Sequence, residues 1–393
     1  MKQGWESKKL GDVYDVRDGT HDSPKYQDSG FPLVTSKNLK DGSITLDKIK
    51  YISKIDYLNI NKRSKVDIGD ILFAMIGTIG NPVVVMKEPD FAIKNVALFK
   101  VPEEQSSAFL KYYLEFVTEA MKGDAKGSTQ KFVGLGYLRG FEIRLPELQE
   151  QKQIVAKLDS SFEAIDKAKA NAAKNLENTK ELFQSKLNDI FSQKGEGWVE
   201  KKLGDVCEKT INIKWANFPD DEFEYIDLSA VSRTSLKITG TTTVNASNAP
   251  SRAKKIIQTN DIMFATTRPT LKRVAIVLSE FNDQICSTGY TVLRGIKGVI
   301  NHKLIYYFLQ TDIFMDRMES IQRGTSYPAV TDKDVKDSVM SLPVSKIQQQ
   351  DVTNKLDALK EQTQSLESKY LQALNSLEEL KKSILQKAFA GEL

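Results

Sequence analysis

Cysteine and histidine are nearly missing from this chain of 393 residues, each occurring twice. Cys207 and Cys286 cannot build a disulfide framework, so nothing calls for an oxidising compartment. Together with His21 and His302 they also lack the spacing of a metal site, and no metal is expected. Long apolar runs are missing too. The most apolar stretch, Ile71 to Met86, is interrupted by Gly77, Gly80, Asn81 and Pro82 and is too short to cross a bilayer. It reads as buried strands joined by a turn. The opening Met1-Lys2-Gln3-Gly4-Trp5 has no apolar segment behind it to act as a signal peptide. A cytoplasmic protein with no membrane partner is the expectation.

Charge of one sign is scarce: the formal net charge is only +4. The excess lies in two separate blocks, residues 1–145 and 197–342, while the stretches after each are close to neutral. A balance this mild neither requires nor forbids a nucleic-acid partner. A hydrophobic content of 40% with 27% charged residues suits a soluble protein with real cores, and the length suggests two domains or more.

Catalytic signatures are missing as well. There is no Gly-x-Gly-x-x-Gly and no Gly-x-x-x-x-Gly-Lys-Ser/Thr phosphate cradle, and Gly134-Leu135-Gly136 reads as a loop. Asn81-Pro82 begins like the Asn-Pro-Pro-Tyr/Phe motif of adenine methyltransferases, but Val83-Val84 follow. Pro89-Asp90 has no acidic-x-Lys partner of the kind a nuclease needs, and Asp124-Ala125-Lys126 sits elsewhere in the chain. No catalytic residue is expected.

What the sequence does have is itself, twice. Gly4-Trp5 through Lys8-Lys9-Leu10-Gly11-Asp12-Val13 returns as Gly197-Trp198 through Lys201-Lys202-Leu203-Gly204-Asp205-Val206. Asp70-Ile71-Leu72-Phe73-Ala74 returns as Asp261-Ile262-Met263-Phe264-Ala265, and Leu145-Pro146 as Leu342-Pro343. Tyr112-Tyr113 is matched to Tyr306-Tyr307, Leu158-Asp159 to Leu356-Asp357, and Phe191 to Phe389. Six matches in order mark two copies of one unit. Between the markers, residues 14–65 and 207–256 show almost no resemblance. Two readings fit: a shared scaffold with different binding surfaces, or drift in exposed loops.

Each copy starts with a mixed α/β (α+β) region. Strands are expected over Asp70 to Ile76, Pro82 to Met86 and Val96 to Val101, and over Asp261 to Thr266, Val274 to Leu278 and Tyr290 to Leu293. Helices are expected over Ser106 to Met121 and Lys303 to Ile321. Each copy ends in a heptad seam. The first runs Val155, Leu158, Phe162, Ile165, Lys169, Ala172, Leu176, Thr179, Phe183. The second runs Val352, Leu356, Leu359, Thr363, Leu366, Tyr370, Ala373, Leu377, Leu380, Ile384. Pro146 and Pro343 mark the helix starts, and Gly195 and Gly391 lie past the ends. The expected division is 1–145, helix segment 146–196, 197–342, and helix segment 343–393. Connectivity makes the two helices antiparallel, giving a pseudo-two-fold arrangement of two globular domains spaced by a helix roughly 65–70 Å long.

This layout resembles the specificity subunits of Type I restriction-modification systems over essentially the whole chain. The duplicated openings and Asp-Ile-Leu/Met-Phe-Ala strands carry the resemblance, with Arg323-Gly324-Thr325-Ser326-Tyr327 matched by Lys126-Gly127-Ser128-Thr129-Gln130. Gln-rich helix starts (Gln149, Gln151, Gln153; Gln348, Gln349, Gln350) and the ending Lys387 to Leu393 complete it. The resemblance implies two target-recognition domains, each reading half of a split site on double-stranded DNA, with the helices docking two methyltransferase subunits that the restriction subunits then join. S-adenosylmethionine, ATP and magnesium would belong to those partners, and this chain would hold no cofactor. A specificity subunit of a Type IIB-like enzyme fits the same features, and a coiled-coil adaptor with two protein-binding modules fits the helices.

Candidate DNA contacts follow from residue type in matched turns: Thr78 in one copy, with Thr266, Thr267, Arg268, Lys272 and Arg273 in the other. The second matched loop offers Lys126, Ser128, Thr129 and Gln130 against Arg323, Thr325, Ser326 and Tyr327, and Lys37 and Asn38 join them in the variable region. Hydroxyls near a Lys or Arg suit phosphates, while Arg, Asn and Gln suit base edges. Solvated turns would carry the same residue types.

Helix length then sets the separation of the two half-sites. Four residues inserted after Ala172 add about 6 Å of helix. Mapping of methylated sites should then show the spacer between half-sites longer by one or two base pairs, with both half-sites kept; an unchanged spacer in an active complex would remove the ruler role.

Overall fold

The computed structural model describes residues 4–393, so the first three residues of the expected first domain lie outside the described residues. The chain divides into two compact units, Met1–Ala172 with Gln372–Leu393, and Ala173–Leu371. The two long helices, Leu148–Phe191 and Lys346–Ala390, each contribute residues to both units.

In the first unit the central antiparallel sheet sets Ile71–Ala74 between Val96–Lys100 and Gly80–Val84, with Asp15–Asp18 at the edge. Ile71–Ala74 is apolar at every position because both faces are covered, and all four residues are buried. Helix Ser107–Gly123, capped by the Ser106 hydroxyl accepting from the Phe109 amide, packs its apolar face into the main core. In the second unit Ile262–Ala265 lies between Tyr290–Leu293 and Val274–Ile276. The six expected strands all form. The expected helix over Lys303 to Ile321 does not run through: it is two helices, His302–Phe308 and Asp312–Ile321. Thr311 makes the break, its hydroxyl donating to the Phe308 carbonyl and accepting from the Phe314 amide.

The variable stretches share a frame that their sequences hide. Phe31–Val34 pairs antiparallel with Lys50–Ile52 and parallel with Ala92–Ile93. Phe223–Ile226 pairs antiparallel with Thr242–Val244 and parallel with Ile285–Ser287 in the same pattern. Helix Lys54–Ser64 is present in the first unit only, where it packs on this sheet.

Both units close in the same way. Glu6–Lys9 pairs with Glu142–Leu145, and Trp198–Lys202 with Val339–Pro343, so the opening of each copy is bound to the strand that precedes its long helix. Pro343 thus belongs to a strand, and Pro146 precedes the helix that begins at Leu148; neither is the first helical residue. Their carbonyls are occupied instead. Buried Gln151 donates to the Pro146 carbonyl at 2.9 Å and accepts from the Ser106 amide at 3.0 Å. Gln349 donates to Pro343 and accepts from Asn301, both at 2.9 Å. One glutamine of each expected cluster is therefore a fixed joint between the long helix and the N-cap of Ser107–Gly123 or of His302–Phe308.

Tyr112 donates to Asp159 at 2.5 Å and Tyr307 to Asp357 at 2.6 Å. These bonds correct the sequence register by one residue: Tyr112 corresponds to Tyr307, and Tyr113 to Phe308. Each seam faces inward through most of its length. Lys169, which interrupts the first, forms an ion pair with Glu378, and buried Thr179 returns its hydroxyl to the Asn175 carbonyl. In the second seam Leu366 and Leu380 are exposed, while Leu385 and Ala388, outside the expected pattern, are buried. Gly391 ends the second helix at φ +80°; Gly195 lies beyond the first helix, which stops at Phe191.

Phe389 sits edge-on to Phe109 and Tyr113 and is stacked on Phe116, each at 5.3 Å. Phe191 lies 5.7 Å from Phe308 in the second unit. Each unit thus receives the end of the helix that starts in the other copy, at equivalent seats. Truncating such a ring leaves a cavity that costs about 3–5 kcal/mol. Phe389→Ala should strip amide-exchange protection from Ser107–Gly123 and leave the Ile262–Ala265 sheet protected, with Phe191→Ala doing the reverse; uniform loss in both variants would contradict separate seats.

Candidate nucleic-acid interface

Two loops lie side by side in each unit. In the first, the turn after Ile71–Ala74 bonds to the loop at 126–132, through Gly77 N–H to the Lys131 carbonyl at 2.9 Å and Val133 N–H to the Met75 carbonyl at 3.0 Å. In the second, Arg268 N–H reaches the Pro328 carbonyl at 2.7 Å and Val330 N–H the Thr266 carbonyl at 3.0 Å. Both loops close on themselves, Lys126 with Phe132 and Arg323 with Ala329. Gly127 and Gly324 hold them at φ +101° and +99°; a Cβ on Gly127 would come within 2.3 Å of the Gln130 carbonyl. The matched motifs of the sequence are therefore one tight loop built twice. By these bonds Gly77 corresponds to Arg268 and Gln130 to Tyr327.

The structure brings most of the sequence candidates together here. Thr78, Lys126, Ser128, Thr129 and Gln130 are exposed in the first unit, as are Arg268, Thr325, Ser326 and Tyr327 in the second, with Thr267 half-buried beside them. Arg268 lies over the Tyr327 ring at 4.8 Å and donates to the Ser326 carbonyl at 3.3 Å. Arg323 is exposed but forked onto Asp334, which holds that carboxyl well below the usual range. Lys272 lies 3.9 Å from Asp312.

Three candidates are turned to structural work. Thr266 is buried, its hydroxyl donating to the Gly289 carbonyl at 2.9 Å. Arg273 reaches inward to the Leu228 carbonyl and fastens the loop that follows Phe223–Ile226. Buried Asn38 bridges the Thr35 amide and the Thr45 carbonyl, both at 3.0 Å. Lys37, beside it, is exposed.

Asn38 shapes a cleft of about 500 Å³ in the first unit, which five lysines line (Lys37, Lys40, Lys48, Lys50 and Lys94) against one carboxylate, Asp47. Gln130 and Asn95 add amides, and Tyr26 adds a ring under Lys50 at 4.1 Å. Lys94 is buried and donates to the Asp22 carbonyl and to Ser23, so it holds the wall; Lys37, Lys40 and Lys48 stay exposed. Point charges spread along a groove, with amides between them, suit a phosphate backbone and base edges. Lys40, Lys48, Lys50, Lys94, Tyr26 and Asn95 were not singled out from sequence, because residues as far apart as 26 and 95 meet only in the fold. The signal available was the crowding of lysines between 37 and 50.

Burial sets the remaining reactive groups aside. It pushes the Cys207 thiol up to about 12, raises Cys286 further, and lowers His302. Among the described residues no cluster of His, Cys, Asp or Glu could hold a metal ion, and no helix is long and apolar enough to cross a membrane.

Comparison with known proteins finds relatives along the whole chain. The chain is 23% identical over 368 residues, 87% of its length and 84% of the relative's, to a putative type I restriction enzyme MjaX specificity subunit of Methanocaldococcus jannaschii. It is 23% identical to the EcoDI specificity subunit of Escherichia coli, covering 72% of this chain and 70% of that one. A chain from a structural study of assembly and conformational transition in the type I R-M system superposes with a TM-score of 0.77 at 20% identity, covering 100% and 99% of the two chains. The HsdS subunit of Thermoanaerobacter tengcongensis gives 0.65 at 20%, covering 100% and 98%. The family model described as the type I restriction modification DNA specificity domain matches residues 2–175 and again 195–376, so this chain belongs to that family.

Proposed function

We propose that the chain is the DNA-reading subunit of a type I restriction-modification enzyme, each unit recognising one half of a split target. The observation that carries the reading is the pair of equivalent loops, one backbone built twice with Gly77 and Gln130 in one unit and Arg268 and Tyr327 in the other. A scaffold repeated with different exposed side chains is what reading two different half-sites requires. Backbone contact falls to lysines such as those of the first unit's cleft, and base edges to the amide, guanidinium and hydroxyl groups of the loops.

The chain itself performs no chemistry in this reading. It directs two methyltransferase subunits, which dock on the Lys-, Glu- and Gln-rich flanks of the long helices, and the restriction subunits join through that assembly. S-adenosylmethionine, ATP and magnesium serve those partners. All of this takes place in the cytoplasm, where the DNA is.

Lysine contacts to phosphate release counterions, and each lowers the slope of log K against log salt by about 0.9. Lys37→Gln with Lys48→Gln, in the chain assembled with its methyltransferase subunits, should weaken duplex binding about equally for all sequences and flatten that slope by nearly two. Unchanged affinity and slope would take the cleft out of the interface.

A further inference from the structure

Arg268 stands where the backbone favours glycine. Its φ is +52°, and its counterpart Gly77 has φ +77° with the same amide bond to the neighbouring loop. A left-handed backbone is unfavourable for any residue with a Cβ, and such residues persist where the side chain is needed. Packing does not explain the arginine, because its side chain is exposed and rests on Tyr327, which is itself 70% exposed. What the contact with the Tyr327 ring and the bond to the Ser326 carbonyl achieve is to fix a planar guanidinium on an exposed loop. Nη2 donates one hydrogen there, and among the described residues the other guanidinium N–H groups donate to nothing in the chain.

A phosphate contact needs only a mobile positive charge, which exposed Lys37, Lys40 and Lys48 of the first unit supply without any such fixture. A guanine presents two acceptors, N7 and O6, on its major-groove edge, and a held guanidinium matches both at once. We propose that Arg268, braced by Tyr327, reads a guanine in the half-site taken by the second unit. The proposal rests on the reading of the chain as a DNA specificity subunit and adds the residue and the base.

The test uses the full chain with its methyltransferase subunits and a pool of randomised duplexes, from which bound sequences are selected and read. The wild type should yield a bipartite consensus with a guanine in one half. Arg268→Gly gives the second unit the glycine its counterpart has, so its Tm should equal or exceed that of the wild type. Its preference at that one G·C pair should fall roughly ten-fold or more, with every other position kept. Arg268→Lys keeps the charge and should not restore the preference, whereas Tyr327→Phe keeps the stack and should retain it. The assignment is overturned if Arg268→Gly keeps all base preferences and only flattens the salt slope by about one, which would mark a phosphate contact. A clear drop in its Tm with preferences intact would make Arg268 structural and overturn it as well. If the wild type itself selects no consensus, it is the DNA reading that has failed, and this inference with it.

Discussion

The seat of a helix end inside a globular unit is the contact on which the rest of this structure depends. Phe389 closes the core of the first unit among Phe109, Tyr113 and Phe116, and Phe191 meets Phe308 in the second. The first core is discontinuous in sequence, whereas the second lies within the single stretch Ala173–Leu371, which takes in the end of the first long helix. The first is built from residues up to Ala172 and from Gln372–Leu393, so the last residues of the sequence support the first sheet. Burying a phenylalanine contributes a few kcal/mol, a large fraction of what a domain has to spare. The helices are thus part of each fold as well as a link between copies. The Gln151 and Gln349 joints fix where each helix departs, and the Tyr112–Asp159 and Tyr307–Asp357 bonds hold its first turns.

On that repeated frame the variable surface can change freely. The three-strand pattern around Phe31–Val34 recurs around Phe223–Ile226 without sequence similarity, because strand pairing uses backbone groups that every residue except proline supplies in full. The loop pair held by Gly127 and Gly324 needs its glycines, and its tips are otherwise unconstrained. Specificity can therefore diverge between the copies while both units fold by one plan.

Much of this was legible in the residues. Duplicated markers gave the two copies, continuous apolar runs gave the central strands, and the heptad spacing gave the long helices. What failed had local causes. Tyr112-Tyr113 and Tyr306-Tyr307 look like a matched pair, and only the carboxylates they reach reveal the slip by one. The break at Thr311 is a side chain competing for helix ends, which periodicity cannot see. Among the candidate contacts, loop residues were found because they were duplicated. The turning inward of Asn38, Thr266 and Arg273 depends on partners far away in sequence. The lysine cleft assembles residues from 26 to 130 that no linear pattern joins.

The central claim is that two units read DNA independently on one shared frame. Exchanging residues 1–145 for the corresponding region of another family member, chosen to have aromatic residues where Phe109, Tyr113 and Phe116 receive Phe389, while keeping both long helices, isolates that claim. Mapping methylated sites made by the chimaera together with the methyltransferase subunits should show one half-site replaced and the other unchanged. If both half-sites change together in a folded, active complex, the units do not read independently and the account is wrong.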